Sequence, residues 1–143
     1  MSLLNVFDVS GSAMTAQTVR LNTTASNLSN AQSVSSNLNE TYRARQPVFA
    51  TQLQTALDGL GNSSQSAPGG VRVAGIVESQ APLHMKYEPE HPYADENGYV
   101  AYPNVNVVEE MANMMSASRS FQLNAEMMKS ARTLAESLLR LGQ

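Results

Sequence analysis

The side chains best suited to chemistry gather in one short stretch: His84, Glu88, Glu90, His91, Asp95 and Glu96. Two imidazoles and four carboxylates could ligate zinc, or exchange protons as general acid and base. Their spacing argues against it. No His-Glu-x-x-His pattern is present, and Pro89 and Pro92 forbid a regular helix through the cluster. It reads instead as a solvated acidic loop. A smaller basic-aromatic spot, Tyr42, Arg43 and Arg45, reads as a structural corner rather than a nucleic-acid site. Gly59, Gly61, Gly69 and Gly70 match no phosphate-binding loop. Met111, Met114, Met115, Met127 and Met128 offer thioethers for a soft metal or an adaptable groove, but their helical spacing favours core and seam packing. No catalytic residue, metal ligand or cofactor site is assigned, and no enzyme activity is expected.

The elements that must position these groups lie mostly at the two ends of the chain. Leu4, Phe7, Gly11, Met14, Thr18, Leu21, Ala25 and Leu28 alternate in steps of three and four, the spacing of a coiled-coil seam. This predicts a helix over residues 3–31, with Ser2 as a cap. The helix is rich in Ser, Thr and Asn, which compete for their own backbone, so it should be weak alone and ordered by packing. At the other end, Asn106 is placed as an N-cap with Glu109 at the third helical position and Glu110 beside it. Met111, Met114, Ser118, Phe121, Ala125 and Met128 form a stripe that shifts to Met127, Ala131, Leu134, Leu138 and Leu141, and Gly142 stops the helix. Some 36 residues at 1.5 Å each span about 54 Å, too long for a compact domain of this size.

Between the helices, Pro47 blocks continuation of the first, and Phe49 to Leu57 is ambiguous between strand and short helix. Asp58 to Gly70, rich in Gly, Ser and Asn, reads as a loop. Val71 to Glu78 alternates as a strand, and Leu83 to Tyr87 is expected to pair with it. Asn97-Gly98 signals a tight turn before Tyr99 to Tyr102. The expected fold is mainly α: long terminal helices packed as a coiled coil, residues 1–40 and 104–143, around a small β-containing middle segment, 41–103.

Composition narrows the function. The chain of 143 residues is 42% apolar but only 6% aromatic, with three Phe, five Tyr and no Trp, so it cannot build a large aromatic core. A net charge of −3 argues against nucleic acid. The absence of Cys excludes disulfides and thiolate metal sites. No run approaches the roughly 18 apolar residues of a membrane span, and the start of the chain lacks the basic and apolar regions of a Sec-type signal. Six acidic and no basic residues lie between Glu88 and Glu110, whereas four basic and two acidic lie between Arg119 and Arg140, an asymmetry that could favour head-to-tail contacts. Two apolar-striped helices in one small chain pair with each other, and any stripe left over must meet another subunit. The candidate subunit-interface residues are Leu4, Phe7, Met14, Leu21, Leu28, Met111, Met114, Phe121, Met128 and Leu138. An assembly protein is the leading reading, with a non-tubular adaptor and a hydrolase using His84 and His91 as rivals.

Several segments then carry a family resemblance. Ala25-Ser26-Asn27-Leu28-Ser29-Asn30-Ala31 resembles the Asn-rich motif near the N-terminus of bacterial flagellar rod and hook proteins, departing from the commoner Ala-Asn-Asn form at Ser26. Tyr42-Arg43-Ala44-Arg45-Gln46-Pro47-Val48-Phe49 resembles the segment that follows it in the C-type proximal rod proteins. The run from Tyr102 to Met111, then Ser116 to Gln122 and the ending Leu139-Arg140-Leu141-Gly142-Gln143, are similar to the same family. The resemblance weakens only in the loop from Asp58 to Gly70.

It implies a structural subunit of the proximal rod of the flagellar basal body, whose terminal helices form an inner layer around an export channel. The implied partners are further copies of itself, neighbouring proximal and distal rod subunits, the junction protein at the rod base and MS ring, and the flagellar type III export apparatus. Export without a cleaved signal to the periplasm is implied, with no nucleic acid, no membrane insertion and no cofactor.

Overall fold

The computed structural model describes residues 3–35, 37–52 and 69–141. The expected cap Ser2, the stop Gly142 and most of the 49–57 and 58–70 readings lie outside the described residues. Two long helices, α1 (Leu3–Ser29) and α2 (Val107–Leu141), enclose β1 (Arg45–Thr51), β2 (Val71–Glu78), β3 (His84–Tyr87) and β4 (Tyr99–Tyr102) in the sequence.

Helix α1 tolerates its hydroxyl-rich sequence because those groups turn back on its own carbonyls. Thr15 donates to Gly11 O at 3.0 Å, Thr18 to Met14 O at 2.9 Å and Thr23 to Val19 O at 2.9 Å, and Thr24 donates to Arg20 O. Each hydroxyl is satisfied without a partner from outside, so Thr23 and Thr24 can be buried. The helix closes where the Asn30 side chain donates to Ser26 O at 2.8 Å. Helix α2 starts at Asn106, whose Oδ1 accepts from the backbone N–H of Val108 at 3.1 Å and of Glu109 at 3.4 Å. The N-cap expectation holds. Glu109 and Glu110 lie in the first turn and Arg140 in the last, each sign favourable to the helix dipole.

The helices pack antiparallel. A Cβ on Gly11 would lie 4.0 Å from Met128 Cε, Arg20 Nη2 donates to Asn113 Oδ1 at 2.8 Å, and Asn27 lies beside Glu110. Residue numbers rise along α1 as they fall along α2. Counting on from the Gly11–Met128 pair brings Leu3 level with Glu136, so the last turn of α2 runs past α1. Small residues let the helices approach closely: Ala16, Ala117 and Ala131 are all buried.

Strands β1 and β2 form an antiparallel hairpin, Arg45 opposite Glu78 and Thr51 opposite Val71, with a bulge between Val48 and Phe49. The hairpin runs along α1. At one end Val71 N donates to Ser12 Oγ at 3.1 Å; at the other Asn27 grips Arg45. Gly70 is required by the close approach, because a Cβ there would sit 2.8 Å from Ser12 Cβ.

Strand β3 pairs with β4, His84 opposite Tyr102 and Tyr87 opposite Tyr99, and not with β2 as expected. Two features explain the correction. The segment after β2 is pulled aside, because Ala81 O accepts from Arg43 at 3.2 Å and from Asn104 Nδ2 at 2.9 Å. The chain between β3 and β4 is folded back by Asp95, whose Oδ1 accepts from Asn97 N at 2.9 Å and Tyr99 N at 2.8 Å, with Gly98 at φ +81°. The Asn-Gly signal marks a real turn, and it closes β3 onto β4.

Candidate assembly surface

The two helices and the first hairpin meet at one buried polar junction centred on Asn27, which is 1% exposed. Its Oδ1 accepts from Arg45 N at 2.9 Å and from Tyr42 Oη at 2.8 Å, and its Nδ2 donates to Arg45 O at 2.8 Å. Three of the four hydrogen-bonding places of the side chain are filled from Tyr42 and Arg45. Asn104 works the same way one layer on, accepting from Ala44 N at 2.8 Å while donating to Ala81 O. Tyr42, Arg43 and Arg45 are the structural corner expected of them. Arg45 lies 5.4 Å from the Tyr42 ring and pairs with Glu78 at 3.0 Å.

Glu110 is also buried, at 6% exposure. Burial pushes its carboxyl above the ordinary value. The hydrogen bond from Asn27 and the positive charge of Arg20 act against that rise, and Glu109 adds to it.

The acidic stretch resolves into hairpin architecture. Lys86 Nζ lies 2.5 Å from Glu88 Oε1, and Tyr102 Oη donates to Glu88 Oε2 at 3.0 Å. The hydrogen bond from Lys86, with that from Tyr102, holds the Glu88 carboxyl below its usual value, while Glu88 raises both Lys86 and Tyr102. His91 Nδ1 accepts from Tyr93 N at 3.1 Å. Among the described residues no three His, Asp or Glu side chains come together as a metal site.

What remains for binding is apolar surface. The inward line of α2 runs through Glu110, Ala117 and Ala131. On one flank of it, Val108, Met111 and Met115 are exposed at helical spacing. On the other, Leu123, Met127, Leu134 and Leu138 are exposed, with Leu134 60% and Leu138 59% accessible. Of the residues expected at an interface, Met111 and Leu138 lie on these flanks. Phe7, Met14, Leu21, Leu28, Met114, Phe121 and Met128 are half-buried, and the side chain of Leu4 is outside the described set. The expected seam positions Thr18 and Ala25 are exposed. Of the residues α1 buries most, Ser10 lies on the seam side, where Gly11 faces Met128, whereas Ala16, Thr23, Thr24 and Asn27 belong to another face. Pattern reading missed this face because its residues are small or polar. The clustering of Asn and Ser at 26–30 was the available signal.

Residues 7–35 match the family described as Flagella basal body rod protein, and residues 96–141 match Flagellar basal body rod FlgEFG protein C-terminal. Over 143 residues, covering 100% of both chains, the sequence is 50% identical to the flagellar basal-body rod protein FlgC of Salmonella typhimurium. The chain belongs to the FlgC family of flagellar basal-body rod proteins. The FlgC protein of Yersinia enterocolitica is 46% identical over the full length of both chains. That of Borreliella burgdorferi is 33% identical over 154 residues, covering 100% of this chain and 99% of its own. FlgC-family membership makes this a structural protein rather than an enzyme. No described helix is long and apolar enough to cross a membrane.

Proposed function

We propose that this chain is a structural subunit of the proximal flagellar rod, assembling helically through its terminal helices into a hollow shaft that carries torque around the export channel. The observation that carries the reading is the pair of exposed apolar flanks on α2, left over after α1 has been packed. Exposed apolar surface of this extent in a small chain marks a protein contact. Head-to-tail, non-closing contacts between two different faces of identical subunits propagate as a helix.

The subunit-facing set is the one expected from the sequence, Leu4, Phe7, Met14, Leu21, Leu28, Met111, Met114, Phe121, Met128 and Leu138. Its exposed members are extended by Val108, Met115, Leu123, Met127 and Leu134. Residues 1–40 and 104–143 form the rod-building part, and 41–103 the projecting middle. Partners are further copies, neighbouring proximal and distal rod subunits and the protein at the MS-ring junction. The chain reaches the periplasm through the flagellar type III export apparatus without a cleaved signal.

The experiment is a Leu134→Asp/Leu138→Asp double variant expressed in a strain lacking the native gene. Because both side chains are already exposed, helix content and expression should match the parent, while swimming is lost. Normal swimming by this variant would remove the α2 flank from the assembly.

A further inference from the structure

Helix α2 leaves two apolar patches uncovered, and they differ in side and in level. Val108, Met111 and Met115 lie in its opening turns; Met127, Leu134 and Leu138 lie in its last half. At 1.5 Å per residue their centres are about 30 Å apart along the axis, and at 3.6 residues per turn they face directions about 120° apart. One neighbouring helix therefore cannot cover both. A two-fold contact, in which a patch meets its own copy, would cover one and leave the other in water. The charges beside them also differ. Glu109 and Glu110 accompany the first patch, with no basic residue between Val107 and Ser118, whereas Lys129, Arg132 and Arg140 outnumber Glu126 and Glu136 around the second. The flexible thioethers of Met111 and Met115 can adapt to the branched side chains of Leu134 and Leu138.

We propose that the two patches are the halves of one contact: Met111 and Met115 of one copy seat against Leu134 and Leu138 of a second copy of this chain. This pairing rests on the rod-subunit role proposed above and specifies which face meets which. Copies that all point the same way along a shaft have parallel α2 helices. Bringing the two patches together then shifts each subunit by about 30 Å and turns it by about 60° relative to the last. A turn combined with a shift along its axis never returns to the starting subunit, so each added copy leaves one patch free for the next.

The chain has no cysteine, so introduced ones are its only thiols. Met115→Cys and Leu134→Cys, separately and together, replace exposed side chains. They are expressed in a strain lacking the native gene, and swimming cells are treated with a short bismaleimide. About 28 Å separates the two positions on one helix, too far to link within a chain. The double variant should give dimers and longer products of this chain, and each single variant none. Dimers from a single variant, products that stop at the dimer, adducts with a different protein, or no product from swimming cells would each overturn the pairing. Met111→Cys with Leu138→Cys repeats the measurement on the same two patches if the first pair abolishes swimming. The rod role fails separately, through normal swimming of the Leu134→Asp/Leu138→Asp variant. If that variant cannot swim and the cysteine pairs form no link in swimming cells, the rod role stands and the pairing falls.

Discussion

Replacing Asn27 with Ala removes three hydrogen bonds of 2.8–2.9 Å, two to the backbone of Arg45 and one to Tyr42. A neutral hydrogen bond contributes about 1 kcal/mol net, and a buried group left without a partner costs about 1–3 kcal/mol. Arg45 lies at the sheet edge, where water can reach part of what is released, so the lower figure applies to its groups. The expected loss is about 3 kcal/mol, a roughly 150-fold fall in the folded-to-unfolded ratio. Urea unfolding of the purified chain followed by circular dichroism measures it directly. Asn27→Asp sharpens the test. It preserves the acceptor oxygens but removes the donor and sets a second carboxylate against Glu110, so it should lose more than Ala does, and Glu110→Gln should restore part of that loss. If Asn27→Ala stays within about 0.5 kcal/mol of the parent, the range of an ordinary surface substitution, then Asn27 does not tie the hairpin to the helix.

Gly70→Ala should lift the hairpin off α1 and cost about 1–3 kcal/mol, the usual penalty of overpacking; Ser12→Ala in the same chain should return part of it, because Ser12 is the group the new methyl would strike. Glu88 behaves opposite to Glu110. Its carboxyl is held low by Lys86 and Tyr102, so the stability it lends the β3–β4 hairpin is present above the unfolded glutamate value and is lost as pH falls through the folded one. The Glu88 carboxyl carbon shift should therefore titrate below the ordinary glutamate range, and Lys86→Met should raise that midpoint.

The architecture was readable where one local rule decided it. Asn106 capped a helix because its side chain reaches two orphan N–H groups, and Asn97-Gly98 turned because glycine takes a positive φ. The terminal helices were visible in their spacing. What could not be read depended on groups far apart in the chain. Most of what α1 buries is small or polar, Ser10, Ala16, Thr23, Thr24 and Asn27, and hydropathy picks out only Ala16 among them. They are buried because hydroxyls close on their own helix and because the partner helix offers alanines. The pairing of β3 with β4 turned on Arg43 and Asn104 holding Ala81, contacts 38 and 23 residues apart. The interface residues fared unevenly for the same reason. Periodicity finds an apolar line but does not say whether the chain's own second helix or a neighbour covers it.

The antiparallel packing of α1 and α2 has a mechanical corollary. Leu3 and the end of α2 lie at one extremity of the helical stalk; β3 and β4 form a head at the other, while the β1–β2 hairpin lies back along α1 as far as Ser12. Lengthening or shortening that head leaves the length and pitch of the stalk untouched. A lineage of such subunits could therefore vary what each one presents outward while still fitting the same bore.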